Sequence, residues 1–160
     1  MKFIIAFVAT ISLFFGLTLP ELRNDFEKAS KSSANTSAFY DKLEDYSGNN
    51  QTILAYKGAS KIMKAKIIKN KETKKKYFSD GAILINDAVK KDSKNVEIRL
   101  IRLIIQENIP KFIKYNHNIT EDKSFVVDNY ASASKEIQNL VKRYANSNKT
   151  FTSQQVKKLK

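Results

Sequence analysis

Cysteine is absent from all 160 residues. That excludes disulfide staples, thiolate metal sites and lipid attachment at a cysteine. Histidine occurs once, at His117, and tryptophan not at all. With a single imidazole and no thiol, only carboxylates remain as metal ligands. The adjacent pairs Glu44-Asp45 and Glu121-Asp122 diverge around a helix and show no calcium-loop spacing. As a catalytic base His117 would need a nucleophile and an orienting acid beside it. Asp122 is near in sequence, but no strained nucleophile turn occurs, and a solvated loop histidine is the plainer reading. Glycine and proline are scarce, at four and two copies. Four scattered glycines cannot build a phosphate-cradling loop, and many-stranded sheets need turn glycines. The expectation is an all-α protein without cofactor and without catalytic activity.

Acidic residues are the other shortage: 16 Asp and Glu face 29 Lys and Arg, for a net charge of +13. An excess of this size fits an anionic partner. It equally fits AT-rich coding, which enriches Lys, Asn and Ile together. Only Arg23, Arg99, Arg102 and Arg143 are arginine. Specific phosphate or base reading favours the planar guanidinium, so nucleic acid is not expected as a partner.

What the chain does have begins at its start. Lys2 precedes a nearly unbroken apolar run from Phe3 to Leu19, and Pro20-Glu21 turns polar. Charged start, apolar middle and polar exit form a secretory leader. Gly16-Leu17-Thr18 is the nearest approach to a cleavage site. The run also falls close to the roughly 20 residues a membrane span needs, so an uncleaved anchor or a buried helix are the alternatives. Export to the periplasm or cell exterior is the expectation, with membrane contact only through an uncleaved N-terminus. Losing Lys2 would take the charge from +13 to +12 and leave about 140 residues, enough for one domain.

Apolar periodicity organises the remainder as a leader over 1–19, a polar lead-in over 20–35, a helical domain over 36–146 and a frayed basic tail over 147–160. The fold expected is an array or bundle of about five to six helices with repeat-like antiparallel pairs. Within the lead-in, Leu22, Phe26 and Ala29 allow a short helix. Thr36 or Ser37 caps a helix reaching Tyr46, and Ser47-Gly48-Asn49-Asn50 closes it. Further helices are expected over Gln51–Asn70, Lys74–Lys91 and Val96–Asn108. Gly58-Ala59 inside the first of these lowers helix propensity, which points to close approach of a neighbouring helix. Val96–Asn108 is apolar on most sides and should be central. A short helical piece carries Phe112, Ile113 and Tyr115. One long final helix follows from Thr120, with Val126, Tyr130, Ala133, Ile137, Leu140 and Tyr144 on one stripe.

The segment Ile85-Asn86-Asp87-Ala88-Val89-Lys90-Lys91-Asp92-Ser93-Lys94-Asn95 resembles the end of a tetratricopeptide repeat. Ile98, Ile101 and Ile105 fall where the next repeat keeps its apolar residues, and Tyr56-Lys57-Gly58-Ala59 supplies a first-helix small residue. Ser93 replaces the repeat's proline, and Arg102 stands where a small residue is usual. As a whole the chain also resembles small exported helical proteins of Bacteroidetes-type bacteria. The likenesses imply a helix-pair array and export, and no activity.

Two groups of residues are candidates for binding. Nine lysines lie between Lys57 and Lys76 against the single acid Glu72, and Tyr77-Phe78 follow. Lys57, Lys61 and Lys64 share a face. Lys74, Lys75, Lys76 and Tyr77 could meet phosphates or anionic lipid, or form a solvated face with Phe78 in the core. Arg99 and Arg102 lie one turn apart on the most apolar helix, where internal pairing with an acid competes with lining a groove alongside Tyr115. Asn35, Asn50, Asn118 and Asn148 open Asn-x-Ser/Thr triplets, which chance explains in an Asn-rich chain. The composite expectation is an exported scaffold or adaptor module that binds a protein or peptide. The alternative is a basic module that binds anionic surfaces, lipid headgroups or nucleic acid through the Lys57–Lys76 face.

Overall fold

The structure, a computed structural model, describes residues 16–147 and 150–159. The expected leader falls almost wholly outside these residues. Among them are eight α-helices and no strand: α1 Leu19–Ala29, α2 Ser33–Leu43, α3 Gln51–Ile67, α4 Lys71–Lys91, α5 Val96–Glu107, α6 Ile119–Asp128, α7 Lys135–Ser147 and α8 Ser153–Lys158. Short 3₁₀ turns cover Lys111–Ile113 and Tyr130–Ser132. The all-α class is as expected, and the helix count exceeds the expected five to six.

The shifted helix starts and the extra helices have local causes. α2 begins earlier than expected because the Ser32 hydroxyl, not that of Thr36 or Ser37, caps it by accepting from the Asn35 amide at 3.1 Å. Thr36 is instead buried, and its hydroxyl donates to the Ala29 carbonyl at 2.7 Å, tying α2 to α1. α4 starts at Lys71 because Asn70 caps it, accepting from the Thr73 amide at 2.9 Å. The expected single long C-terminal helix is two. The Asn129 side chain donates back to the Phe125 carbonyl at 2.9 Å, and Ala133 is extended at ψ 158°. The apolar stripe survives this break: Val126, Tyr130, Ile137, Leu140 and Tyr144 are all buried together. The described part of the tail carries one more helix. Thr152 and Gln155 form a capping box that starts α8, and Phe151 and Leu159 are buried against the same cluster.

α5 is the hub. Ile98, Ile101 and Ile105 enter one cluster with residues of α1 to α4, while Leu100 and Leu103 enter a second with α6, α7 and α8. This explains its apolarity on most sides. Glu97, though buried, is satisfied: Arg23 donates to it twice, at 2.8 and 2.9 Å, and the Tyr56 hydroxyl once, at 2.8 Å. These bonds join α1, α3 and α5.

α3 and α4 pack as an antiparallel pair, Gly58 beside Ile85 and Gly81 beside Ile62. A Cβ built on Gly58 would lie 2.6 Å from the Gly81 carbonyl oxygen, and one on Gly81 2.5 Å from that of Gly58. The glycines let the two backbones touch, as the Gly58-Ala59 pair foretells. This close crossing lies toward the middle of each helix. In α4 the fully buried residues begin only at Gly81; residues 71–76 are exposed, and Tyr77 and Phe78 behind them are half-buried, with Phe78 packed against the core.

Candidate functional site

The lysines singled out by sequence separate into engaged and unengaged groups. Lys57 donates to the Glu44 and Tyr46 carbonyls at 2.8 and 2.7 Å, closing off the end of α2. Burial, with Lys61 nearby, lowers its pKa. Lys61 lies over the rings of Tyr40 and Tyr77, and Lys64 lies over Tyr40 and donates to Ser37 at 2.9 Å. Tyr77 packs against Tyr40 with ring centroids 5.5 Å apart. The Tyr40 phenol is raised, by burial first and by Tyr77 next. Lys76 pairs with Asp80 one turn on, at 2.8 Å. These side chains serve the fold.

Lys71, Lys74 and Lys75 are exposed and have no hydrogen-bond or ion-pair partner among the described residues. With Phe78 they follow i, i+3, i+4, i+7 spacing, so all four share one face of α4. That face borders a groove of about 470 Å³. Its floor comes from Ile62 and Ala65 of α3, Phe78 of α4, and Ile109 and Ile113 beyond α5, and the exposed Phe112 also lines it. The rim carries Lys66, Lys71, Lys74 and Lys75, with no acid among the lining residues. Lys66 donates to the Asn108 carbonyl at 3.2 Å, and burial lowers its pKa.

The 3₁₀ turn that completes the groove is short because of its ends. Pro110 precedes it, and Lys114 adopts left-handed backbone at φ 55°, reversing the chain. Tyr115 is thereby sent into the core, edge-on to Phe78 at 5.7 Å, with its hydroxyl donating to Asn86 at 3.2 Å. Burial pushes its phenol up to about 12. Phe112 is left outside, 82% exposed, and Ile113 and Ile67 are each 37% exposed. In this piece Tyr115, the residue expected to line a groove, is buried, whereas Phe112 and Ile113 are turned to solvent. The readable signals were the Lys71-Lys74-Lys75-Phe78 period and the confinement of Phe112 between Pro110 and a turn.

Arg99 and Arg102 belong to the interior, not to a groove. Arg102 donates to Asp122 through Nε and Nη2 at 2.6 and 2.8 Å, and Arg99 adds a bond of 2.8 Å. Burial opposes the charge on Arg99, but hydrogen bonds to Glu121 and Asp122 outweigh it, so its pKa is raised. Asp122 is 0% exposed, and this arginine–carboxylate lock fastens α6 to α5. His117 is exposed on the loop before α6, its ring edge-on to Tyr115 at 6.2 Å. Asn50 caps α3 and Asn118 contacts Glu121 and Gln106.

No group of three or more His, Cys, Asp or Glu among the described residues is placed to hold a metal ion. No described helix is long and apolar enough to cross a membrane. Comparison with known proteins finds no matching family model, no similar curated protein and no similar solved structure.

Proposed function

We propose that the chain is an exported, non-catalytic helical module that binds a polypeptide partner in the groove between α3, the start of α4 and the Lys111–Ile113 turn. The observation that carries this reading is Phe112. A phenylalanine 82% exposed beside five apolar floor residues is an anchor left uncovered, and aromatic anchors in apolar pockets dominate polypeptide recognition. Helix-pair arrays, to which the tetratricopeptide-like segment is similar, present grooves suited to such ligands.

The reading is testable by selecting a random 12-residue peptide library against the protein. Enriched peptides should bind the wild type and lose binding to Phe112→Ser and Ile113→Ser, both of which should melt like the wild type. A library that yields only peptides indifferent to these two changes refutes the reading.

A further inference from the structure

We infer that the occupant of this groove is an acidic, amphipathic polypeptide segment, a deepening that rests on the peptide-binding reading above. The argument is one of charge complementarity around an apolar floor. Lys71, Lys74 and Lys75 stand within about one turn of each other and lack partners among the described residues. Like charges at three- and four-residue spacing repel, and two of the three sit in the first turn of α4, where the helix dipole also disfavours cations. A fourth cation, Lys66, closes the same rim. Glu72 and Asp80, the acids of this stretch of α4, do not line the groove, and Asp80 is already engaged by Lys76. The site therefore carries uncompensated positive charge around an uncovered apolar surface.

A ligand that satisfies both halves places two or three large apolar side chains over Phe78, Phe112 and Ile113, with Asp or Glu flanking them. The carboxylates then meet Lys71, Lys74 and Lys75 at the rim, where paired charges are partly shielded from water by the bound chain. A neutral segment would leave the lysines repelling one another. A basic segment would add to that repulsion, which makes the rim a device for rejecting wrong partners as much as for holding the right one.

The test uses the full chain and three labelled 12-residue peptides in fluorescence anisotropy. Each has Leu at positions 2, 5, 6 and 9, and the remaining positions are chiefly Glu, Gln or Lys. The Glu peptide should bind at least about tenfold tighter than the Gln peptide at low salt, the Lys peptide should not bind, and the Glu preference should shrink as salt is added. In a Lys71→Gln, Lys74→Gln, Lys75→Gln triple variant with unchanged melting, Glu and Gln peptides should bind alike. Phe112→Ser should weaken every peptide that binds. Equal binding of the Glu and Gln peptides with Phe112 dependence retained overturns the acidic occupant and leaves the groove reading standing. No Phe112-dependent binding of any peptide overturns both. Phosphatidylglycerol vesicles that bind through the same three lysines, and displace the Glu peptide, overturn the inference in favour of a lipid surface.

Discussion

Replacing Gly58 by alanine is the sharpest perturbation of the fold that holds the groove. On an isolated helix the change is favourable, since alanine exceeds glycine by about 1 kcal/mol in helix interiors. In this protein the new methyl carbon would sit 2.6 Å from the Gly81 carbonyl oxygen, 2.8 Å from Ile85 Cγ1 and 3.1 Å from the Ile85 amide nitrogen. Ordinary contact begins at 3.4 Å, so α3 and α4 must part by about 0.8 Å at the crossing. Two of the three obstacles are backbone, which no rotamer change relieves. Overpacking of this kind costs about 3 kcal/mol at the upper end of its usual range. Set against the propensity gain, the net loss is about 2 kcal/mol, or about 6 °C in melting temperature for a chain of this size. Urea unfolding followed by circular dichroism reads it directly. The double variant Gly58→Ala, Gly81→Ala should lose less than the two single losses together, because the first methyl has already separated the helices. A Gly58→Ala protein as stable as the wild type, or more so, refutes the close-crossing account.

Other predictions test the remaining connections. Asp122→Asn keeps the side chain's shape but leaves two guanidiniums without their shared buried carboxylate; a loss of about 3–5 kcal/mol is expected in the same urea assay, and a loss below about 1 kcal/mol would contradict the lock. The hydrogen bond from Arg99 holds the Glu121 carboxyl below its ordinary value of 4.5. A depressed carboxyl contributes stability above the unfolded value and loses it as pH falls through the folded one. As pH falls through and below 4.5 the wild type should therefore lose more stability than Glu121→Gln, and parallel pH profiles would speak against the pairing.

The parts of the fold legible in the sequence are those set by apolar spacing and small residues. The hub role of α5 followed from isoleucine and leucine on both sides of one helix, and the α3–α4 contact from Gly58. What escaped were caps and charge partners. Ser32, Asn70 and the Thr152–Gln155 box each start a helix through one or two side-chain bonds, a weaker signal than a stripe of core residues. The Asn129–Ser134 break was masked because the Val126–Tyr144 stripe stays buried across it. At the site, a run of lysines reads the same whether a side chain caps a helix end, as Lys57 does, or borders a groove, as Lys74 does. Only the position of α2 and of the Phe112 turn, both distant in sequence, tells them apart. Arg102 and Asp122, 20 residues apart, are paired by how α6 folds back on α5.

The central claim is that the first two turns of α4 and the Phe112 turn form a ligand groove, and backbone amide shift mapping by nuclear magnetic resonance tests it most directly. Titration of the labelled protein with the Leu/Glu peptide should move the signals of residues 62–78 and 109–113 and leave those of Arg99, Arg102 and Asp122 in place. Shifts centred on α6 and α7, or no saturable shifts at all, would contradict it.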